Sequence, residues 1–393
     1  MNHSIRRLQG EALLDALYVL DSYSLHPSPP FQNKEDWYKV VRERKGVTCY
    51  ARFDEERPVS IAVSTAMTQN IREKLFPACG VWGVATHPSA RRKGYCKETM
   101  ASLLTAERES GKVFSNLYPF RESFYERLGY IAFPLTKIAK LTPFSLESLL
   151  KMDFDGEVEL LLIGEAYDAY REYLTHMRVD RHGMAFFDFG DRASANRNTL
   201  WAALARFDQK IEGIMLYRLD GEEVAKFRFN AYRFYYQTSK ARYLMLNWIA
   251  RHIDQADRVE IWLPEDEYPE TWIADLNVKI ETAIRPAMCR VLDVGMLSGM
   301  RVGEGHFSAR IHDPLCDWNE GIWCFKSEDG KLIVTKGSEV DCDLTIQGLS
   351  ALVAGVRDPQ DYEMRRWGNP DNGMQTIMRT MFPKMRPFLH ENF

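Results

Sequence analysis

One short stretch, VATHPSARRKGYC at residues 84–96, decides the fold predicted for this 393-residue chain. An apolar strand at residues 79–86 runs into a turn with three consecutive cations, and a predicted helix from Gly94 to about Ser110 follows directly. Three cations at the positive end of a helix dipole are unfavourable by themselves. They become favourable when an anion lies at the helix N-terminus, where free amides point at it and a glycine permits close approach. The stretch therefore predicts a phosphate-binding turn, with a solvated basic loop as the alternative.

The segments around this turn alternate between strand and helix. Residues 60–66 and 113–118 are predicted strands, residues 121–128 a short helix, and a further strand begins at Gly129. This order predicts a mixed α/β domain with a strand–helix–strand crossover, which we place at residues 1–150.

A second unit, predicted at residues 151–286, repeats this pattern. Residues 213–218 and 224–229 form a predicted hairpin, and a helix and the strand 259–264 follow. The two units match in pattern more than in identity, so an internal duplication is a hypothesis.

The final unit, residues 287–393, has a different character. It contains short predicted strands at residues 288–294, 321–326, 331–335 and 341–346. A predicted helix follows at residues 348–356. The tail from residue 374 begins as a predicted helix.

A second motif, FYERLGY, lies at residues 124–130. The turn Arg91-Arg92-Lys93-Gly94-Tyr95-Cys96 resembles motif A of the GNAT superfamily of N-acetyltransferases, Arg/Gln-x-x-Gly-x-Gly/Ala. Residues 125–130 resemble the family's motif Tyr-x-x-x-Gly-Phe/Tyr. Cys96 departs from the family's glycine or alanine and slightly crowds the phosphate loop. The two motifs, in this order, imply an acetyl-CoA-dependent enzyme with a GNAT fold.

The resemblance also implies a role for individual residues. Strands 81–86 and 113–118 would splay apart to admit the pantetheine arm of acetyl-CoA, and the Val84 amide would face the thioester oxygen. Tyr125 would be the general acid that protonates the departing thiolate, with a packing tyrosine as the alternative. The implied cofactor-binding residues are Val84, Ala85, Thr86, Arg91, Arg92, Lys93, Gly94, Tyr95, Cys96, Lys97, Phe120 and Arg121.

The three-part layout resembles the enhanced intracellular survival (Eis) acetyltransferases over the whole chain. It implies an α+β (α/β) chain with a GNAT domain, a degenerate GNAT-like domain and a domain like sterol carrier protein. Residues 91–94 correspond to TSKA at residues 238–241, which predicts one acetyl-CoA site per chain. In this family the terminal carboxylate, here that of Phe393, is the base for the substrate amine; an inert tail is the alternative. The resemblance also implies homo-hexamers.

The implied activity is acetyl transfer to primary amines, with aminoglycoside-type substrates first, by direct attack on the thioester. Protein or peptide lysines and polyamines are alternative acceptors, and a non-catalytic lipid-binding scaffold is the alternative of another class. Candidates for the acceptor pocket are Trp37 with Glu35 and Asp36, and residues 265–268. For both segments the alternative is a solvated acidic loop. Tyr118 and Tyr130 are predicted to be core or strand residues.

Composition argues against several other classes. A net charge of −4 and a pI near 6.2 do not suit a nucleic-acid partner. No apolar run approaches the ~18 residues of a membrane span. Seven cysteines without a Cys-x-x-Cys pair indicate reduced thiols in a cytoplasmic protein. His176 and His182 lack partners at ligand spacing, so no metal is expected.

Overall fold

The structure is a computed structural model that describes residues 3–190 and 200–393. These residues form two compact units. The first comprises the described parts of Met1–Pro134, Arg178–Gly190 and Arg285–Phe393, and the second those of Leu135–Met177 and Asp191–Ile284. Each unit draws on separate stretches of the chain, so the linear borders at residues 150 and 286 stay predictions.

The strands, in chain order, are β1 (His3–Arg7), β2 (Val47–Asp54), β3 (Arg57–Ile71), β4 (Lys74–Thr86), β5 (Phe114–Leu117), β6 (Ile131–Ala132), β7 (Lys137–Leu141), β8 (Glu157–Leu162), β9 (Ala185–Phe187), β10 (Trp201–Phe207), β11 (Lys210–Asp220), β12 (Phe227–Tyr236), β13 (Ala256–Leu263), β14 (Lys279–Thr282), β15 (Met288–Val291), β16 (His306–His312), β17 (Gly321–Glu328), β18 (Lys331–Lys336) and β19 (Cys342–Thr345).

The helices are α1 (Gly10–Ser24), α2 (Lys34–Arg42), α3 (Tyr95–Glu109), α4 (Glu122–Glu126), α5 (Ile163–Asp180), α6 (Ser239–Ala250), α7 (Ile346–Ala354), α8 (Tyr362–Arg365) and α9 (Asn372–Met381). None of the helices in the described parts of the chain is both long and apolar enough to cross a membrane.

The main sheet of the first unit has the order β1-β2-β3-β4-β5-β15-β6, and β9 pairs with the end of β3. β4 and β5 are parallel and are joined by α3, which confirms the predicted crossover. Met100, Leu103 and Leu104 recur at helical spacing on α3 and are fully buried. Their burial holds α3 against the sheet and fixes the start of the helix beyond the end of β4.

The carboxyl-terminal third of the chain completes this sheet. β15 lies between β5 and β6, with Met288 opposite both Leu117 and Ala132. A further sheet in the same unit, of order β18-β17-β16-β19, shares a continuous hydrophobic core with the main sheet. Phe76 and Phe307 both belong to that core and are buried.

The second unit is built on a sheet of order β14-β7-β13-β12-β11-β10-β8. As in the first unit, two parallel strands, β12 and β13, are connected by a helix, here α6. The predicted hairpin is confirmed, but its second strand begins at Phe227 rather than at Val224. Val224 is exposed and Ala225 has a φ of +72°, a turn conformation that does not continue a strand.

Candidate active site

β4 departs from regular strand geometry just before its end. Its register against β3 shifts at Gly83 and Val84, which together lie opposite Ala62. Gly83 has a φ of +59°, and a Cβ atom there would lie 3.0 Å from Leu17 Cδ1. A β-bulge of this kind bends the strand and re-aims the following residue. The bulge therefore sets the direction of β4 at Val84, where the resemblance implies contact with the thioester.

The parallel pairing of β4 with β5 ends at Val81 and Leu117. β4 continues to Thr86, and its edge beyond Val81 has no strand partner on the β5 side among the residues that the structure describes. The backbone amides and carbonyls on that edge are consequently available to an extended ligand. β5 itself ends at Leu117, so β4 extends past the end of its partner, and the splaying that the resemblance implies stays a prediction.

The basic turn joins β4 to α3 in a conformation that leaves the helix N-terminus open. Arg92 and Gly94 have φ values of +63° and +83°, and Gly94 occupies the N-cap position of α3 without a side-chain cap. A Cβ atom on Gly94 would have only Glu98 Oε1 near it, at 3.9 Å. Arg91 Nε donates to the Thr86 carbonyl at 3.2 Å, which holds the arginine along the turn.

Charge around this turn suits an anion. Arg91, Arg92 and Lys93 are exposed, and the first amides of α3 have no acceptor within the helix. The acidic group of the first helical turn, Glu98, is paired with Arg52, which reduces its repulsion of an anion. The geometry of the turn thus leaves its amides and cations accessible to an anion, while the phosphate ligand stays a prediction.

Tyr125 lies on α4 among aromatic side chains. It is 4% exposed, and its ring lies 5.1 Å from that of Phe124 and 5.9 Å from that of Phe120. Tyr125 shares a cluster with Val84 and Cys96, so residues from β4, α3 and α4 meet here. Burial, with a smaller contribution from Cys96, raises the pKa of Tyr125 above its ordinary value. The phenol therefore keeps its proton at neutral pH and can act as a proton donor.

Cys96 is poorly suited to covalent chemistry. Burial raises the pKa of its thiol to about 11, so the thiolate is rare at neutral pH. Burial also raises the pKa of Cys79. Both thiols act as core side chains in this unit.

The aromatic ring of Phe393 lies beside the last paired residues of β4 and β5. Its centroid is 5.6 Å from that of Tyr118 and 5.4 Å from that of Phe187. A Cβ atom on Gly80 would lie 2.8 Å from Phe393 Cζ, and Gly80 itself pairs with Asn116 on β5. The tail is therefore packed into the sheet of the first unit next to the last paired residues of β4 and β5.

The remaining cofactor candidates lie on β4, on α3 and just before α4. Phe120 is 59% exposed beside Tyr125, and Arg121 occupies the N-cap position of α4. Ala85 is buried in the opposite cluster, against α1. The Thr86 hydroxyl lies 3.0 Å from the hydroxyl of Ser60. Tyr95 and Lys97 lie in the first turn of α3.

The predictions for Tyr118 and Tyr130 hold, with one addition. Tyr130 is fully buried, and its hydroxyl lies 2.7 Å from that of Ser115 on β5. Tyr118 is half-buried and packs against Phe393. Tyr118 follows the last residue of β5, and its contact with the tail gives it a place beside the candidate site that the sequence did not indicate.

The acceptor-pocket candidates are held in structural contacts. Trp37 is 9% exposed in the core of α1 and α2, with its ring 5.5 Å from that of Tyr18. In the second unit, Glu267 accepts a 2.6 Å hydrogen bond from the Tyr236 hydroxyl. Glu35 and Asp36 are exposed on α2. Trp37 is thus a core residue rather than part of an open surface.

The second unit treats the corresponding helix N-terminus differently. The Thr238 hydroxyl oxygen accepts from the Ala241 amide at 3.3 Å and donates to Glu212 Oε2 at 2.7 Å. A capped terminus with a carboxylate beside it disfavours an anion. This geometry supports the prediction of a single phosphate-binding turn per chain.

His182 is a structural residue of the first unit. Its Nδ1 accepts from the Arg72 amide at 3.0 Å, and its Nε2 lies 3.0 Å from the Ala354 carbonyl. Burial lowers its pKa to about 4, so the ring is neutral. Across residues 3–190 and 200–393, no group of three or more His, Cys, Asp or Glu side chains is arranged to hold a metal ion.

Sequence reasoning missed the two glycines that shape the site. Gly80 and Gly83 lie inside the predicted strand CGVWGVAT, residues 79–86, where a glycine indicates a bulge or a close approach of another group. The structure has both: the bulge at Gly83 and the Phe393 ring against Gly80. The signal was in the sequence, although it did not identify which group approaches.

Two family models match parts of the chain. Residues 4–132 match the acetyltransferase (GNAT) domain, and residues 296–390 match the sterol carrier protein domain. The first unit therefore contains an acetyltransferase (GNAT) domain. The predicted fold class, with GNAT and GNAT-like sheets and a sterol-carrier-like carboxyl-terminal part, is confirmed.

Solved structures share the fold over the full chain. A GCN5-related N-acetyltransferase from Anabaena variabilis has a TM-score of 0.83 at 16% identity and covers 99% of both chains. A probable N-acyltransferase from Enterococcus faecalis has a TM-score of 0.83 at 19% identity over 100% of both. Eis1 from Mycobacterium abscessus has a TM-score of 0.78 at 14% identity over 100% of both. A search of the curated protein sequences finds no match.

Proposed function

We propose that this protein is an acetyltransferase of Eis type that transfers the acetyl group of acetyl-CoA to a primary amine. Aminoglycoside-type amines are the first acceptors to test, and protein or peptide lysines and polyamines are the alternatives. One observation carries the proposal: the open strand edge after Val81, the Tyr125 phenol and the Phe393 ring all lie near the point where the pairing of β4 and β5 ends.

The open edge and the basic turn fit the two ends of acetyl-CoA. The free amides of α3 with Arg91, Arg92 and Lys93 would hold the pyrophosphate. Backbone groups of Val84 to Thr86 on the edge of β4 that has no strand partner would bond the pantetheine arm. When bound, acetyl-CoA supplies the thioester as the activated acyl donor.

Two groups of the chain would handle protons. The Tyr125 phenol, which is protonated at neutral pH, would donate its proton to the sulfur as the carbon–sulfur bond breaks. The α-carboxylate of Phe393 would accept a proton from the ammonium, leaving the amine free to form the new carbon–nitrogen bond. An ordinary α-carboxyl has a pKa of about 3.3–3.7, and burial would raise it toward a useful base.

Direct attack is favoured over an acyl-enzyme. Cys96, a thiol in the same cluster as Tyr125, has a pKa of about 11. A nucleophile so rarely ionised would contribute little at neutral pH.

The experiment measures thiol release from acetyl-CoA with a panel of aminoglycosides, polyamines and lysine peptides. It compares the full chain with Tyr125→Phe and with a chain lacking Phe393, and acetyl-CoA binding is measured by calorimetry. Tyr232→Phe is the matched control, because Tyr232 lies on β12 of the second unit and is not among the residues of the candidate site.

Turnover that falls in both test variants while binding persists would support the proposal. Binding without turnover on any amine would reject this set of acceptors. Absence of acetyl-CoA binding would reject the function altogether.

A homo-hexamer in the cytoplasm belongs to the same proposal. Exposed apolar side chains on and after α1, namely Val19, Tyr23 and Leu25, are of the kind that subunit contacts cover. Light scattering should give about 270 kDa, six times the 45.6 kDa of one chain. The non-catalytic alternative, a lipid-binding scaffold, predicts that organic extraction of the purified protein yields bound lipid.

A further inference from the structure

The chain after α9 forms a strap, residues 382–393, without helix or strand. Backbone hydrogen bonds nevertheless fix it along its length. The Met385 amide donates to the Gly355 carbonyl at 3.0 Å, the Phe388 amide to the His182 carbonyl at 3.0 Å, and the Glu391 amide donates at 3.1 Å to the carbonyl of Ala185 on β9. The path of the strap is therefore set by the sheet of the first unit rather than by its own structure.

The first anchor of the strap is Arg72. Its guanidinium is buried and donates to the Val353 carbonyl at 2.7 Å, near the end of α7, and to the Pro383 carbonyl at 2.9 Å. It also lies over the ring of Phe382, 5.3 Å from the centroid. One side chain thus ties the end of α7 to the start of the strap.

The second anchor is the turn at Gly183. Gly183 has a φ of +80°, and a Cβ atom there would lie 2.4 Å from Pro387 Cβ and 2.7 Å from the Phe388 nitrogen. The strap consequently passes in direct contact with the backbone of this turn, where a side chain would exclude it.

The third anchor is Glu391, two residues before the end of the sequence. While its own amide donates to Ala185, its carboxylate oxygen Oε2 accepts from the Phe187 amide at 3.0 Å. Phe187 pairs with Met67 on β3, and its ring lies 5.4 Å from that of Phe393. Glu391 therefore holds the strap to β9 at two points, next to the place where the Phe393 ring enters the site.

We propose that Glu391 is a positioning residue that acts through Phe393: its two bonds to β9 seat the terminal residue beside Gly80. This inference rests on the proposed function, in which the carboxylate of Phe393 takes part in proton transfer. Glu391 is not itself the base, because its carboxylate is bonded to a backbone amide of the scaffold. A carboxylate that accepts from an amide makes a stronger bond than a neutral acceptor does.

Three variants separate the clamp from a general effect on the fold. Glu391→Ala removes the bond to Phe187, Glu391→Gln keeps an acceptor oxygen at the same place, and Asn392→Ala changes the exposed neighbour on the same strap. Thermal unfolding of the three should stay close to that of the unaltered chain, because the core is untouched.

The deciding measurement is the rate at which carboxypeptidase A releases Phe393 from the native full chain, followed by mass spectrometry. A seated terminal residue is protected, so Glu391→Ala should release phenylalanine about tenfold faster or more, the factor that loss of one charge-assisted hydrogen bond gives. Glu391→Gln should restore most of the protection, and Asn392→Ala should not change it. Turnover should fall in parallel in Glu391→Ala, with the KM for acetyl-CoA unchanged.

The two readouts distinguish this inference from the proposed function. Equal release from Glu391→Ala and the unaltered chain would overturn the clamp, whether or not the protein is active. Faster release with unchanged turnover would leave the clamp in place and reject the role of Phe393 in the reaction, and with it the positioning role of Glu391.

Discussion

Replacement of Gly80 by alanine tests whether the reaction depends on where the Phe393 ring lies. The methyl group would be 2.8 Å from Phe393 Cζ and 2.8 Å from Met67 Sδ. Gly80 lies within β4 and is not among the residues with positive φ, so alanine fits the backbone without strain. The substitution therefore changes one local distance and leaves the strand as it is.

The size of the effect follows from that distance. Carbon atoms pack at about 3.5–4.0 Å, so the ring must move by roughly 0.7–1.2 Å if the backbone of β4 keeps its place. Misplacement of a reacting group by about 1 Å can lower a rate ~100-fold. Overpacking of this kind costs about 1–3 kcal/mol of stability, which leaves most of the protein folded. We expect a kcat about 100-fold lower and an unchanged affinity for acetyl-CoA.

The assay is steady-state thiol release with a saturating amine, repeated in a chain that lacks Phe393. If Gly80→Ala acts through the tail, it should have no further effect once Phe393 is gone, a coupling that a double-mutant cycle measures. A normal kcat for Gly80→Ala in the full chain would contradict this prediction, since the rate would then not depend on the position of the Phe393 ring. An equal loss in both backgrounds would assign the effect to β4 itself.

Three further predictions concern other parts of the first unit. Tyr125→Phe should lower kcat by about 10²–10⁴ without weakening acetyl-CoA binding. Since burial raises the pKa of Tyr125, ionisation of this phenol should cause no loss of rate up to pH ~10 in the pH–rate profile of the unaltered enzyme. Arg91→Ala should raise the KM for acetyl-CoA and reduce its dependence on salt in kinetics at two ionic strengths, since an exposed cation is removed from the phosphate turn. The pKa of His182 is lowered from 6.5 to about 4, so between these values the unfolded chain binds a proton that the folded chain does not; stability should fall by up to about 3 kcal/mol as pH drops through this window, and urea unfolding of His182→Gln should show a smaller fall.

Local patterns were sufficient to predict the centre of the site. The strand, basic turn and helix of residues 79–110 are found as β4, the turn and α3, because apolar spacing and a glycine at a helix start are properties of adjacent residues. Tyr125 and Cys96, which come from the two family motifs, share one cluster in the structure.

Contacts between distant segments of the chain could not be predicted from local patterns. Trp37 is a core residue because α1 packs on it, and the sequence around Trp37 does not contain that information. Likewise, the partners of the strap, Arg72 and His182, precede it by hundreds of residues. The apolar side chains of the tail, Phe382, Phe388, Leu389 and Phe393, indicate that it is covered, but not what covers it.

The position of β15 sets the order in which the protein can fold during synthesis. β5 ends at Leu117, yet the strand that lies beside it starts at Met288, about 170 residues later. At about 5–20 residues per second, a ribosome needs roughly 10–30 s to make the intervening chain. During that time the edges of β5 and β6 lack their common neighbour and offer unpaired backbone to other chains. The acetyltransferase sheet therefore cannot close until most of the protein has left the ribosome, and a fragment ending near residue 150 would keep this open edge permanently.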